Sequence, residues 1–429
     1  MAVPAQKFEL AAHLLAARPV PSGEAAWATA ARAAAVERLT RMGAPHRRDE
    51  YFKFTDPAAL VAPEAPAVSH VAPDEKAAFA DSDQLRLVFV DGVFAPERSD
   101  AVALEGLEIQ PLGEALRTDI HWAREVFGKL EERGQDPVHR PLAALNTAQA
   151  TQGFAIRVTG VVRRPIAFVY ERSADAVDAV VHHVVRLEEK ADLTLIETGA
   201  AASRFSGVTE VDVADGAGFH HVRTQGRDHE RLAFTAMFAR LGEKSTFKSF
   251  TLTANGRLTR NEQIVEFAGA EGVAHVAGAC LGDGDFHHDD TIFVTHGAPD
   301  CESRQVFKKV LRNGAVGVFQ GKILVRSIAQ RTDGYQISQG LLLDEDSQFL
   351  TKPELEIYAD DVKCSHGSTC GAVDETALFY LTSRGIPRGE ATDLLVLAFV
   401  DEAVQEIEDE GLAADVRERL AGWVARRRR

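Results

Sequence analysis

The chain has 429 residues, a formal net charge of -16, 45% hydrophobic and 26% charged residues, and 4 cysteines. That length implies roughly two or three domains with ample buried core, and the acidic balance argues against an obligate nucleic-acid binder, whose phosphate contacts need a basic surface. No stretch approaches the ~20 apolar residues of a membrane span, and the opening "MAVPAQKFELAAHLLAARPV" carries Glu9 and lacks a signal peptide's apolar run, so the expectation is a cytoplasmic protein with reduced thiols.

In chain order the first clear element is an alanine-rich helix, "SGEAAWATAARAAAVERLTRMG", with Ser22 as N-cap and Gly43 as C-cap. Ala26, Trp27, Ala30, Ala33, Ala34 and Leu39 follow its helical spacing. "APEAPAVSHVAPDE" reads as a linker or extended surface segment. "LRLVFVDG" is a strand ending in a turn, and "HWAREVFGKLEERG" is another helix. Residues 1-149 therefore form an N-terminal helical and mixed region.

From Gly153 to about Leu350 the helical period gives way to short β-prone runs, such as "FAIRVTG", "VTEVDVADG" and "TIFVTHG". Many alternate, as Thr209, Val211 and Val213 do against Glu210 and Asp212. Asn-Gly hairpin signals are confined to "TANGRLT" and "LRNGAVG", and that scarcity tilts the choice toward a parallel solenoid over residues 150-372. No crisp repeat marks the coils.

Residues 373-429 return to the helical period. "DETALFYLTSRG" offers Asp374 as N-cap and Gly385 as C-cap. "GEATDLLVLAFVDEAVQEIEDEG" is a longer helix whose apolar positions exceed one stripe, so a second face packs inside the chain or docks on a partner. "AADVRERLAGWVARRRR" is a last helix with a solvated basic tail.

The densest group of soft ligands is "VKCSHGSTC", with Cys364, His366 and Cys370. Thiolate and imidazole suit zinc, but the spacing fits no common finger. If the segment is a strand, Cys364 and His366 share a face and could ligate one ion or pair a thiolate with an imidazole. The bland reading is a Gly-rich turn. His182, His183, His220 and His221 read as polar surface histidines, and Cys280 and Cys301 as small buried hydrophobes. His287, His288, Asp289 and Asp290 form a denser group that would bind metal only if neighbouring coils add donors; a structural role is the preferred reading. There is no P-loop, no G-x-G-x-x-G between a strand and a helix, and no G-x-S-x-G elbow.

The stretch "TKPELEIYADDVKCSHGSTCGAVDETALFYLTSRGIPRGEATDLLVLAF" closely resembles the C-terminal signature of the SufB/SufD family of iron-sulfur cluster assembly proteins. "DEYFKFTD", "LAALNTA" and "HVAGACLGDGDFHHDDTIFVTHGAPDCESRQVFKKVLRNGAVGVFQGKILV" extend the likeness over most of the chain after about Gly43. The resemblance implies a mainly β fold: a right-handed parallel β-helix core flanked by helical regions. It implies a non-catalytic scaffold that pairs with SufB, or with a second SufD-like copy. It also implies binding of the SufC ATPase through C-terminal helices, and service to a nascent iron-sulfur cluster whose sulfur comes from a cysteine desulfurase system. A flavin is associated with the family's complex, although no flavin motif is visible here.

Within the family the chain looks like SufD, because it is short and lacks the Glu-His-Glu cluster near the C-terminal end of SufB. A SufB-like reading would need a sulfur-accepting core cysteine, for which Cys280 and Cys301 are the candidates. The resemblance makes His366 the cluster ligand at the SufB interface, with Cys364 as a second donor. Cys370 departs from the family's usual apolar residue and takes no role by analogy. The alternative from another class is a β-helix metal-dependent hydrolase using His287, Asp289 or Asp290, which would need clustered acids facing one groove.

Overall fold

The computed structural model describes residues 3–67, 78–102, 104–173, 175, 177–225 and 230–426. The later part of the Ala/Pro-rich segment and residues 427–429 of the basic tail lie outside them.

The core is a parallel β-solenoid. Successive strands alternate between two sheets, so each strand pairs in parallel with the second strand after it. Among the described residues the first sheet has 10 strands and ends at Val362–Gly371; the second has 9 and ends at Gln348–Ile357. The strand Leu85–Val90 joins the first sheet alongside Val161–Glu171. The coils drift in length: register partners Thr235 and Asn261 are 26 residues apart, Arg260 and Asp289 are 29, and Gln305 and Gln336 are 31.

Alternation places every second side chain inside the coil. There Phe154 and Phe168 stack with ring centroids 5.7 Å apart, as do Phe219 and Phe247. Each such ring contributes about 1.5–3 kcal/mol by burial. The expected Asn-Gly hairpins are instead corners. Asn255 and Gly256 (φ 66° and 100°), and Asn313 and Gly314 (φ 56° and 84°), carry the chain from one sheet to the other. Asn and Gly are the residues that tolerate this left-handed backbone.

Both outer faces are covered. The C-terminal helices Arg388–Val404 and Glu410–Arg426 lay Val396, Val400, Ala403, Leu412, Val416 and Trp423 on Phe250, Leu252, Ala277, Ala279, Val306 and Val310 of the first sheet. The N-terminal region sets Phe127, Leu130 and Leu142 on Val208, Ala236 and Phe238 of the second. Arg140 and Glu262, 2.9 Å apart and both buried, tie that second layer down.

Asp374 caps its helix as expected, accepting from the backbone N–H of Thr376 at 2.8 Å. The first alanine-rich helix runs Ala26–Met42 with Ala25 at its N-cap, so Ser22 does not cap it; Gly43 does end it. The single helix expected in "HWAREVFGKLEERG" is broken into a 3-10 turn, Trp122–Glu125, and a short helix, Lys129–Arg133. Gly128 between them sits at φ 69°, and the buried Glu210 carboxylate accepts from its N–H at 2.6 Å.

Candidate functional site

"VKCSHGSTC" is neither a turn nor a loop. It lies within the strand Val362–Gly371, which pairs over its whole length with Thr332–Leu342. Among the described residues it has no partner strand on its other side, and the same holds for Gln348–Ile357 in the second sheet. The solenoid thus ends with two strands, each presenting one edge of backbone donors and acceptors.

Register decides which way each side chain points. Cys364 packs with Ile323, Val325, Ala329 and Ala359, inside the coil. The Ser368 hydroxyl meets Ser338 Oγ at 2.7 Å and accepts from Thr351 Oγ1 at 2.9 Å, across from the opposite sheet. Thr369 faces outward and accepts from Gln339 at 3.0 Å. Cys364, His366, Ser368 and Cys370 therefore share the inner face. His366 is inward by register and exposed by position, because no further coil closes over it.

Beneath this row lies its register partner row, Gly334, Gln336, Ser338 and Gly340. Gly334 leaves room for the Cys364 thiol: a Cβ there would stand 3.1 Å from Sγ. Burial raises the pKa of both the Cys364 and the Cys370 thiol, with a Gly334 backbone hydrogen bond pulling Cys364 partly back. Iron takes a thiolate, so raised thiols are handicapped as ligands at neutral pH, whereas imidazole ligates in its neutral form.

The histidine pairs face opposite ways, as alternation requires, but three of the four residues are buried rather than at the surface. His182 points toward the N-terminal layer and donates to Glu210 at 3.0 Å. His183 points inside, 3.1 Å from the Tyr170 hydroxyl, and stacks on Phe168 at 4.1 Å. His221 is also internal and donates to Glu197 at 3.0 Å, while His220 sits partly exposed beside Asp192 and Glu408. Their carboxylate partners stand on neighbouring coils, which local sequence cannot reveal.

The His287–Asp290 group is split between the two faces. His287 and Asp289 point outward to Thr55 at 2.9 and 2.6 Å, and Asp289 also pairs with Arg260. His288 and Asp290 point inward to Lys309 at 2.8 and 2.6 Å. The two acids share no groove, which removes the geometric basis for hydrolase chemistry there. Among the described residues no group of three or more His, Cys, Asp or Glu side chains could hold a metal ion. Cys280 lies buried near Lys309 and Asp290, and burial pushes its thiol up to about 12; Cys301 is buried as well.

The SUF-system SufBD core domain, a domain of iron-sulfur cluster assembly, matches residues 169–399, more than half of the chain and all of the open coil end. The chain belongs to the SufBD family. It is 29% identical over 403 residues to the Escherichia coli iron-sulfur cluster assembly protein SufD, covering 90% of each chain. A SufBD family protein of Synechocystis is 29% identical over 402 residues, covering 88% of this chain and 86% of that one. A SufBD family protein of Mycobacterium tuberculosis is 29% identical over 271 residues, 61% and 67% of the two chains.

Sequence reasoning on this SufBD chain missed the buried amides under the site. Gln305 and Gln336 are register neighbours, both buried, with Gln336 Nε2 donating to Gln305 Oε1 at 2.9 Å. A signal was present: in "DGYQISQG" Gln336 and Ser338 stand two apart on the face where the core pattern asks for apolar residues.

Proposed function

We propose that this chain is a SufD-like, non-catalytic scaffold subunit of the SUF complex, and that His366 ligates the nascent iron-sulfur cluster across an interface with SufB. The observation that carries this reading is the placement of His366: exposed, inner-facing, and on a terminal strand whose outer edge is unpaired among the described residues. A partner strand docking on that edge would bring its own donors beside the imidazole. This accounts for a site with a ligand yet no complete ligand set among the described residues of one chain. Mixed histidine and cysteine ligation is established for iron-sulfur centres. Cys364, two residues away on the same face, is the second donor, and it becomes effective only where a neighbouring cation lowers its thiol.

SufC would supply ATP hydrolysis, since this sequence has no P-loop. Its proposed contact is the exposed apolar surface of the C-terminal helices, and sulfur would arrive through the partner subunits from a cysteine desulfurase system. In the absence of SufB the same edge would suit a second copy of this chain. A cytoplasmic location fits this assembly, and no described helix is long and apolar enough to cross a membrane. The cavity of about 270 Å³ under the C-terminal helices sets Asp192, Glu406, Glu408 and Asp409 beside Lys248 and His220, an acidic balance that does not favour the phosphates of the flavin associated with the family. No step is assigned to it.

The test is the complex with SufB and SufC carrying His366→Ala, Cys364→Ala or Cys370→Ala. His366→Ala should assemble but fail to build a cluster by iron content and visible absorption, and Cys370→Ala should build one normally. A normal cluster on His366→Ala would make the imidazole structural and end this reading.

A further inference from the structure

We infer that the Gln336 carboxamide is a positioning residue for His366, its Oε1 accepting the imidazole N–H so that the other ring nitrogen faces the cluster. The inference rests on the proposed ligand role of His366 and deepens it.

Gln336 and His366 are register partners on adjacent strands, so their side chains stand on one rung of the inner face. Gln336 is 0% exposed. Its amide nitrogen is committed to Gln305 Oε1 at 2.9 Å, on the coil below. The two heads of a carboxamide diverge, so the oxygen takes no part in that bond, and Gln305 Nε2 does not reach it, being itself without a partner among the described residues. Among the described residues that oxygen has no hydrogen-bond partner. A buried, unsatisfied carbonyl costs about 1–3 kcal/mol, and such atoms are retained where something completes them.

The room for this arrangement is built in. Across the coil, Gly321 faces the carboxamide, and a Cβ there would stand 2.4 Å from Gln336 Nε2. Among the described residues, Ser338 and Ser368 on the next rung of the same face already bond each other and Thr351, and Thr332 on that face bonds Ala329 O. The oxygen is thus left for the imidazole. Ligating histidines usually donate their second ring N–H to an acceptor of this kind, which fixes the tautomer and ring orientation.

The pairing can be read without iron. In the full chain labelled with 15N-histidine, the His366 ring shifts, assigned by their loss in His366→Ala, should move in Gln336→Met and move clearly less in Gln305→Met. Gln305→Met removes the acceptor that holds Nε2 but keeps the Gln336 oxygen, so the imidazole retains its acceptor and the shifts move less. Gly321→Ala, which displaces the carboxamide without changing it, serves as a second variant should Gln336→Met not fold, and should also move them. In the complex with SufB and SufC, Gln336→Met should lose its cluster to a chelator about 10-fold faster, with Gln336→Glu, which keeps an acceptor, closer to wild type. Unchanged ring shifts in Gln336→Met, or an equal change in Gln305→Met, would overturn the inference. A His366→Ala complex that builds a normal cluster would instead overturn the ligand reading, whatever the ring shifts show.

Discussion

Gln336 and His366 are neighbours on the last rung of the first sheet, one wholly buried and the other exposed to the open end of the coil. The boundary between core and site therefore runs between two adjacent strands. Whatever disturbs the buried member reaches the exposed one through a single side-chain layer.

Gly321→Ala tests that coupling as stability. The added methyl would meet Gln336 Nε2 at 2.4 Å and the Phe319 ring at 2.7 Å. Overpacking of this kind costs about 1–3 kcal/mol. Gly371→Ala, at the end of the last strand with nothing within 4 Å, should change stability by less than about 0.5 kcal/mol. Urea unfolding of the two variants against the parent checks both; equal midpoints would show that the space beside Gln336 is not filled as described.

Lys309 and Asp290 form an ion pair inside the solenoid, 2.6 Å apart at 1% and 3% exposure. Lys309→Met leaves a buried carboxylate uncompensated and should cost about 3–5 kcal/mol. Asp290→Asn added to it removes the orphaned charge and should recover much of that loss. A double variant no more stable than Lys309→Met would mean that the lysine acts by packing and not by charge.

Acid lability follows from the internal histidines. Burial pushes His183 and His296 down to about 3, against about 6.5 in an unfolded chain. Between those values the unfolded chain binds more protons, so stability rises with pH and falls on acidification, by up to about 1.4 kcal/mol per pH unit for each histidine. Above pH ~6.5 neither contributes. Glu131, raised to about 7 chiefly by burial, acts with the opposite sign between about pH 4.5 and 7. Replacing His183 by Gln, which does not titrate, should flatten the slope of stability between pH 6 and 4 by about 1.4 kcal/mol per unit; an unchanged slope would place the acid-sensitive group elsewhere.

Much of this was legible in the sequence, for local reasons. Period-two alternation and scarce hairpin signals identified a parallel solenoid, and the Asp374 cap was readable because its partners are two and three residues away. The coil repeat was not legible, because spacings of 26, 29 and 31 residues carry no common motif. Burial of His182 and His221 was hidden as well, since Glu210 and Glu197 stand 28 and 24 residues off. "VKCSHGSTC" invited a turn through its Gly and Ser content, yet it is held extended by a ladder to Thr332–Leu342, a full coil earlier. Gln336 escaped notice because a lone glutamine gains meaning only from the rung above it.

The C-terminal helices separate a buried apolar face from an exposed one. Ala391, Val396, Val400, Ala403 and Val404 of Arg388–Val404 are buried against the chain's own core. That accounts for one apolar face of this helix. The surplus lies in Leu394, 45% exposed, and in Phe379 and Tyr380 on the preceding helix, at 73% and 55%. Exposed aromatic side chains of this kind dominate binding energy when a partner covers them, at about 2 kcal/mol or more each. If the proposed SufC contact lies here, Phe379→Ser with Tyr380→Ser should abolish co-purification with SufC while shifting the urea midpoint of the chain little. Val400→Asp, which places a charge in the buried face, should instead unfold or loosen the helix on the sheet. If the double serine variant binds SufC as the parent does, the ATPase contacts another surface, and the exposed rings need a different partner.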